Sequence, residues 1–556
     1  MRKLFLFISL ISSVILIRCA QPRNLSGGEK DTIPPKVLKL SPQNLSTGFQ
    51  GQTLAMEFDE YVQIKNLNGE LVVSPPLSYP VTYRQKGKRV FFDIQDTLKT
   101  NTTYNFNFGN AIVDLNESNP LDSNLFVFST GNTLDSGIIY GTVKDAYSQK
   151  LVDNAVVVLY PQTYDSALYK GEPLYVTKTN NKGEYELQFL RDTEYQIFAL
   201  ATPGEKFKYI EQTKVGFANN LQNTKAETPV DFAIFEEKDT TQYVSKSLSK
   251  EYFSFNIGFN NNLINPKFKF SPSPKETTYI IEEIRPDTFK FWINGDLDID
   301  SVTVNIVDET NYSDTVQIDI KDRTKFYKKL KKKKETRSPV RVSLGTDNGV
   351  HHYFDTLRIN FSRPISTWQT DSMWFVQNED TMVMKEAIVN EILTVLKPEI
   401  NRGTFKELRS VAVTHKWKPM TNYAFIFNQG AFKDIIHQVN DTTILKFKTK
   451  NFEDYGSFRF KVEVPGYNGS LVLELLNQKD KFIRNYIIKP GEEIFHELAV
   501  PGTYKFRLII DRNGNKKWDT GNISKGIQPE EVVYYSGTIE IRANWDMEET
   551  WKVDLK

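Results

Sequence analysis

Apolar and polar side chains alternate with a period of two along most of this chain. Thr53-Leu54-Ala55-Met56-Glu57-Phe58 and Tyr104-Asn105-Phe106-Asn107-Phe108 each place one apolar set on one side, and Phe126-Val127-Phe128 follows. Val156-Val157-Val158-Leu159-Tyr160 is continuously apolar, as expected of a central strand. Further strands are predicted over Ile138 to Val143, Lys182 to Leu187, Tyr195 to Leu200, Tyr252 to Phe259, Phe289 to Ile293 and Val302 to Val307. Clusters of Asn, Asp, Gly and Thr separate these runs, and no long amphipathic helical repeat is present. Many short strands with turn residues between them predict an all-β chain of tandem β-sandwiches.

The exception is the N-terminus. Met1-Arg2-Lys3 is basic, and Leu4 to Ile17 is apolar except for Ser9, Ser12 and Ser13. Cys19, the single cysteine, follows. The run is shorter than the ~20 residues of a membrane span. This order predicts a secretory signal peptide over 1–18 and lipid attachment at Cys19. Leu16-Ile17-Arg18-Cys19 resembles the lipobox of bacterial lipoproteins, with Arg18 where that family has a small residue. Acyl chains would anchor the chain, since each buried methylene contributes ~0.8 kcal/mol. With Cys19 so used, stability comes from burial without disulfides. Residues 19–33 read as a lipidated flexible tether with Gly27-Gly28. The expected location is the outer membrane. Ala20 to Asn24 lack the acidic cluster that resembles a surface-export signal, so the periplasmic and cell-surface faces both stay open.

Residues 34–132 are expected to form the first sandwich. Pro35 to Phe58, Phe58-Asp59-Glu60, Ser74-Pro75-Pro76, Asn101-Thr102-Thr103-Tyr104 and Phe128-Ser129-Thr130-Gly131 resemble the bacterial Ig-like domain of Bacteroidota envelope lipoproteins. Residues 133–237 are similar to the prealbumin-like (carboxypeptidase regulatory-like) module, through Gly141-x-Val143, the apolar strand, Asn180-x-x-Gly183-x-Tyr185 and Tyr195-x-x-x-Ala199. That resemblance implies no catalysis. Residues 238–340 are expected to form a further β domain of uncertain type with a Lys-rich end, where six of the seven residues from Lys328 to Lys334 are lysine. Thr421-Asn422-Tyr423-x-Phe425-x-Phe427 parallels Thr102-Thr103-Tyr104-x-Phe106-x-Phe108, and Phe447-x-Thr449-x-Asn451 parallels Phe128-x-Thr130-x-Asn132. An internal duplication follows, with a second Ig-like domain over 341–451 and a second prealbumin-like domain over 452–556.

Composition narrows the partners. The 70 basic and 69 acidic residues give a formal net charge of +1, without the basic excess of a nucleic-acid binder. The oligomeric state cannot be read from the sequence. Candidate chemistry is sparse, and no cofactor is required. Asp511, Asn513, Asn515 and Asp519 space oxygen ligands as a calcium loop would, with Glu530 or Glu531 able to join. The competing reading is a hairpin turn on Asn513-Gly514. His351, His352, His415, His437 and His496 show no metal-ligand spacing, so surface or loop positions are expected. Asp114-x-Asn116-Glu117-x-Asn119 reads as an Asx-rich turn, and its alternative is a carboxylate pair for glycoside hydrolysis with Asp59-Glu60. The lysine run reads as a solvated linker or an anionic-lipid contact. Asp-Ser and Asp-Thr pairs such as Asp96-Thr97 and Asp355-Thr356 resemble an O-glycosylation sequon of exported Bacteroidota proteins. The sequence thus predicts a non-catalytic, lipid-anchored scaffold or accessory subunit of an outer-membrane protein complex. Its rivals are a surface glycan-binding lipoprotein using Trp368, Trp374 or Trp417, and a glycosidase or peptidase.

Overall fold

The computed structural model describes residues 31–555, apart from internal stretches of which 272–278, 294–299, 329–337, 384–392 and 395–403 are the longest. The signal segment, Cys19 and most of the lysine run therefore lie outside the described residues. The fold is β throughout, built from tandem sandwiches, and its helices are short turns such as Leu67–Glu70. The chain divides into two compact units. The first holds residues up to Asp145 and Lys150–Phe235; the second holds Ala146–Gln149 and Glu236–Lys556.

In the first unit, the N-terminal sandwich has a four-stranded sheet in the order Val37–Ser41, Thr53–Phe58, Arg89–Asp93, Thr82–Lys86. The other sheet is Val72–Ser74, Thr103–Asn107, Leu125–Ser129. Leu54, Met56 and Phe58 alternate inward, as their spacing requires, and meet Phe92, Phe106, Phe108 and Phe128 in one core. The second sandwich runs Tyr175–Lys178, Val156–Pro161, Glu194–Leu200, Lys214–Phe217, Phe232–Glu236, Gly137–Asp145, Glu184–Leu190. Val156–Pro161 is paired on both sides, which explains its unbroken apolar sequence.

The second unit contains three sandwiches. Its first joins a sheet of Val244–Glu251, Ser254–Phe259, Thr288–Ile293 and Tyr279–Arg285 to one of Lys267–Ser271, Ser301–Val307 and Ser313–Asp319. Thr404–Lys406 adds to the first of these sheets in parallel. The next two sandwiches repeat strand orders of the first unit. Met373–Gln377, Asn422–Phe427 and Thr443–Thr449 are ordered as are Val72–Ser74, Thr103–Asn107 and Leu125–Ser129. The Tyr423 hydroxyl accepts from Lys418 N at 2.9 Å, as the Tyr104 hydroxyl accepts from Lys99 N at 2.9 Å. In the C-terminal sandwich, Gly456–Glu463 pairs with Asp546–Lys552 in parallel, as Gly137–Asp145 pairs with Phe232–Glu236. Tyr504 and Tyr195 each donate a hydroxyl to the carbonyl four residues back, on Val500 and Arg191.

Buried polar groups close the remaining gaps. Asp434 is fully buried, pairs with Arg363, and accepts from Ile436 N and Gln438 N at 3.0 and 2.8 Å. Glu282 accepts from Trp292 Nε1 at 2.8 Å and from Arg409 Nε at 3.0 Å. Such pairs are retained because a lone buried charge would be costly.

Candidate binding cleft

The first unit contains a cleft of about 1010 Å³ lined by both of its sandwiches. Its geometry begins at the joint between them. Ser74 sits on a sheet edge, and its hydroxyl accepts from Val176 N and donates to Val176 O, both at 2.8 Å. Val176 lies on the edge strand of the second sandwich, so one buried hydroxyl satisfies both of its backbone groups. Beside it, Asn105 Nδ2 donates to Gln188 O at 2.7 Å, and Arg191 Nη2 donates to Asn101 O at 2.8 Å. Asn105 Oδ1 is buried and has no hydrogen-bond partner.

One wall of the cleft is the outer side of Gly137–Asp145 and Glu184–Leu190. Tyr140 pairs with Glu186 and Thr142 with Glu184. Ile138 and Tyr140 stay 42% and 40% exposed and line the cleft with Glu184, Glu186 and Gln188. Gly141 makes this wall possible. A Cβ there would lie 2.0 Å from Val230 O, so only glycine lets Val230 approach and donate its N–H to Tyr140 O at 2.8 Å. The Tyr185 hydroxyl, whose pKa burial pushes up, donates to Val230 O at 2.7 Å from below. Asp231 is fixed by Thr142 N and Oγ1 at 2.9 and 2.8 Å. The opposite side supplies Asn107 and Asn124. Among the described residues the lining carries three carboxylates, on Glu184, Glu186 and Asp231, against one ammonium, on Lys178.

The residues singled out from sequence lie elsewhere. Asp511, Asn513, Asn515 and Asp519 are gathered in one turn after Gly502–Asp511. There the Asp511 carboxylate accepts from Asn515 N and Lys516 N, each at 3.1 Å, and both Asn513 and Asn515 amides donate to Asp519 Oδ2. Glu530 closes the turn, accepting from Arg512 N at 2.8 Å and Asp519 N at 3.1 Å. Its burial raises its pKa despite those bonds. These contacts form a hydrogen-bonded turn. Among the described residues no three His, Cys, Asp or Glu side chains group as a metal site. Asp114 is an Asx turn, its Oδ1 accepting from Asn116, Glu117 and Ser118 N and its Oδ2 from Asn119 N. Burial alone would raise its pKa, but these four N–H groups bring it below the usual range.

One expectation is overturned in part. His437 is exposed as expected, but His351 is 1% and His352 8% exposed. His351 ends the short strand Val350–His351 and His352 follows it, and both are covered: His351 meets Trp417 and Phe447, and His352 meets Tyr455. Trp368 and Trp417, the platforms of the rival glycan-binding reading, are partly buried and pack against the core around Phe375 and Phe425, as most aromatics of a sandwich do. The cleft residues were missed because Asn105 and Tyr140 alternate with core positions and read as solvent-facing. The closest signal was Gly141, a glycine inside a strand, which marks a close backbone approach.

Comparison with known proteins adds one assignment. Residues 31–130 match the family described as the bacterial Ig-like domain. No curated protein matches the chain. Similar solved structures include the Bacillus anthracis TIE protein, at 12% identity and TM-score 0.14, covering 95% of this chain and 76% of that one. BcpA, the major pilin subunit of Bacillus cereus, shows 10% identity and TM-score 0.13, covering 75% and 99%. SGBP-B of a Bacteroides ovatus mixed-linkage glucan utilization locus, in complex with a heptasaccharide, shows 10% identity and TM-score 0.18, covering 74% and 95%. Among the described residues no helix is long and apolar enough to cross a membrane. The N-terminal sandwich is a bacterial Ig-like domain.

Proposed function

We propose that this chain is a non-catalytic, lipid-anchored protein of the bacterial envelope that serves as a scaffold or accessory subunit of an outer-membrane protein complex. The observation that carries the reading is the buried polar joint of the first unit, where Ser74 bonds both backbone groups of Val176. A scaffold must hold its binding faces at fixed spacing. Domains joined only by a solvated linker move relative to each other, whereas a joint sealed by buried hydrogen bonds resists that motion. Cys19 would supply the anchor and 20–33 the reach from the bilayer. Exposed Phe482, Ile483 and Ile487 on the edge strand Phe482–Ile488 give the C-terminal sandwich an edge suited to a protein partner.

The test is gentle detergent purification of the tagged full chain followed by mass spectrometry. Stoichiometric recovery of an outer-membrane protein is expected, and recovery of no envelope protein would overturn the scaffold. The anchor is tested separately: Cys19→Ala should move the chain from the membrane to the soluble fraction, and an unchanged membrane share would refute lipidation.

A further inference from the structure

We propose that the cleft between the two sandwiches of the first unit binds a neutral oligosaccharide. This goes beyond the scaffold role and does not depend on it. The cleft's volume of about 1010 Å³ lies at the upper end of ordinary ligand sites, enough for several sugar rings. Its chemistry is that of polyol recognition. Asn105, Asn107, Asn124, Asn180 and Gln188 line it with planar amides held in place by the protein. Gly109 N donates to Asn107 Oδ1, Asn124 Nδ2 donates to Gly109 O, Gln188 Nε2 donates to Glu186, and Asn180 closes its own turn, so the amides are positioned to meet hydroxyls with the capacity that these bonds leave over. Tyr140 offers an exposed ring against which the C–H face of a sugar can lie.

Two observations sharpen the ligand class. Asn105 is 8% exposed and its Oδ1 has no partner, while its Nδ2 is committed to Gln188 O. That acceptor is closed off from the cleft as it stands, so a sugar hydroxyl meets it once the Asn105 amide turns outward, exchanging an unsatisfied group for a satisfied one. The charge of the lining then selects against anions, because among the described residues it carries the carboxylates of Glu184, Glu186 and Asp231 against the one ammonium of Lys178. Lys178 itself is engaged with Gly69 O. An added peptide strand is disfavoured for a separate reason. Val176 N and O are taken by Ser74, Gln188 O by Asn105, and Glu184 N and O by Asn180, so these edge groups cannot pair with a new strand.

The experiment is isothermal titration calorimetry on the full mature chain. The neutral probes are cellohexaose, laminarihexaose, maltohexaose and mannohexaose. Oligogalacturonate and hexalysine are the anionic and cationic controls. Binding of at least one neutral hexasaccharide is expected, with little heat from either control. Tyr140→Ala should weaken it by about tenfold or more, and Tyr140→Phe should restore most of it. Failure of all four neutral probes to bind would overturn the proposal. So would stronger binding of a control, or wild-type affinity in Tyr140→Ala.

Discussion

His351 shows how one residue's surroundings set a property of the whole fold. It lies with its ring 4.9 Å from Trp417 and 6.1 Å from Phe447. Burial, helped by the neighbouring His352, pushes its pKa down to about 4. His496 is depressed to about 4 in the same way, by burial and then by Arg484. In the unfolded chain a histidine titrates near ~6.5. Between about pH 6.5 and 4 the unfolded state therefore binds more protons than the folded one. The stability contributed by the neutral rings is present above that window and lost as pH falls through it. Tm should drop between pH 7 and pH 5, and the drop should be smaller in His351→Phe. An identical pH slope in that variant would refute the assignment. Asp434 makes a second prediction at this scale. Asp434→Ala leaves the buried Arg363 guanidinium without its carboxylate, though Ser338 still accepts from it. We expect a loss of about 3–5 kcal/mol in urea unfolding, the range for breaking a buried pair from one side. A loss below about 1 kcal/mol would show that the guanidinium finds water.

The strands are the elements most legible in sequence. Thr53–Phe58 was expected from its alternation and is a strand with Leu54, Met56 and Phe58 buried. Val156 to Tyr160 was expected to be central and is paired on both sides. Period-two patterning is a local record of which side of a strand meets the core, so it survives reading without a structure. The cleft was not legible for the same reason. Asn105 follows the pattern of an outward position in its own sheet, but the neighbouring sandwich covers it, and no local pattern encodes that second burial. The joint itself gives the prediction for this scale. Ser74→Ala removes the partner of both Val176 N and Val176 O. The Val176 amide should then exchange hydrogen faster than in the wild type, with a stability cost of about 1–3 kcal/mol for the unsatisfied groups. Unchanged exchange at Val176 would mean that the joint is held by other contacts.

Over the whole molecule, each compact unit is built on more than one core. The first packs around Phe58, Phe106 and Phe128 and around Val157 and Ile197; the second packs around Phe291, Phe425 and Phe460 in turn. Each unit is compact in itself and is expected to unfold as its own cooperative block. Calorimetry should resolve at least two transitions, with Asp434→Ala lowering only one of them. A single transition shifted as a whole would show that the units unfold together.

By itself the sequence determined that the chain is β, that its strands close into tandem sandwiches, and that similar strand patterns occur twice. These follow from side-chain alternation and turn chemistry, which act between residues close in the chain. Only the tertiary structure decided that both His351 and His352 are buried and that Asn105 and Tyr140 share one cleft. Those outcomes depend on which face of one sandwich meets another, a contact made between residues such as Ser74 and Val176 that lie far apart in the chain. Such contacts are fixed by shape and by the pairing of buried polar groups, and no periodicity along the chain records them.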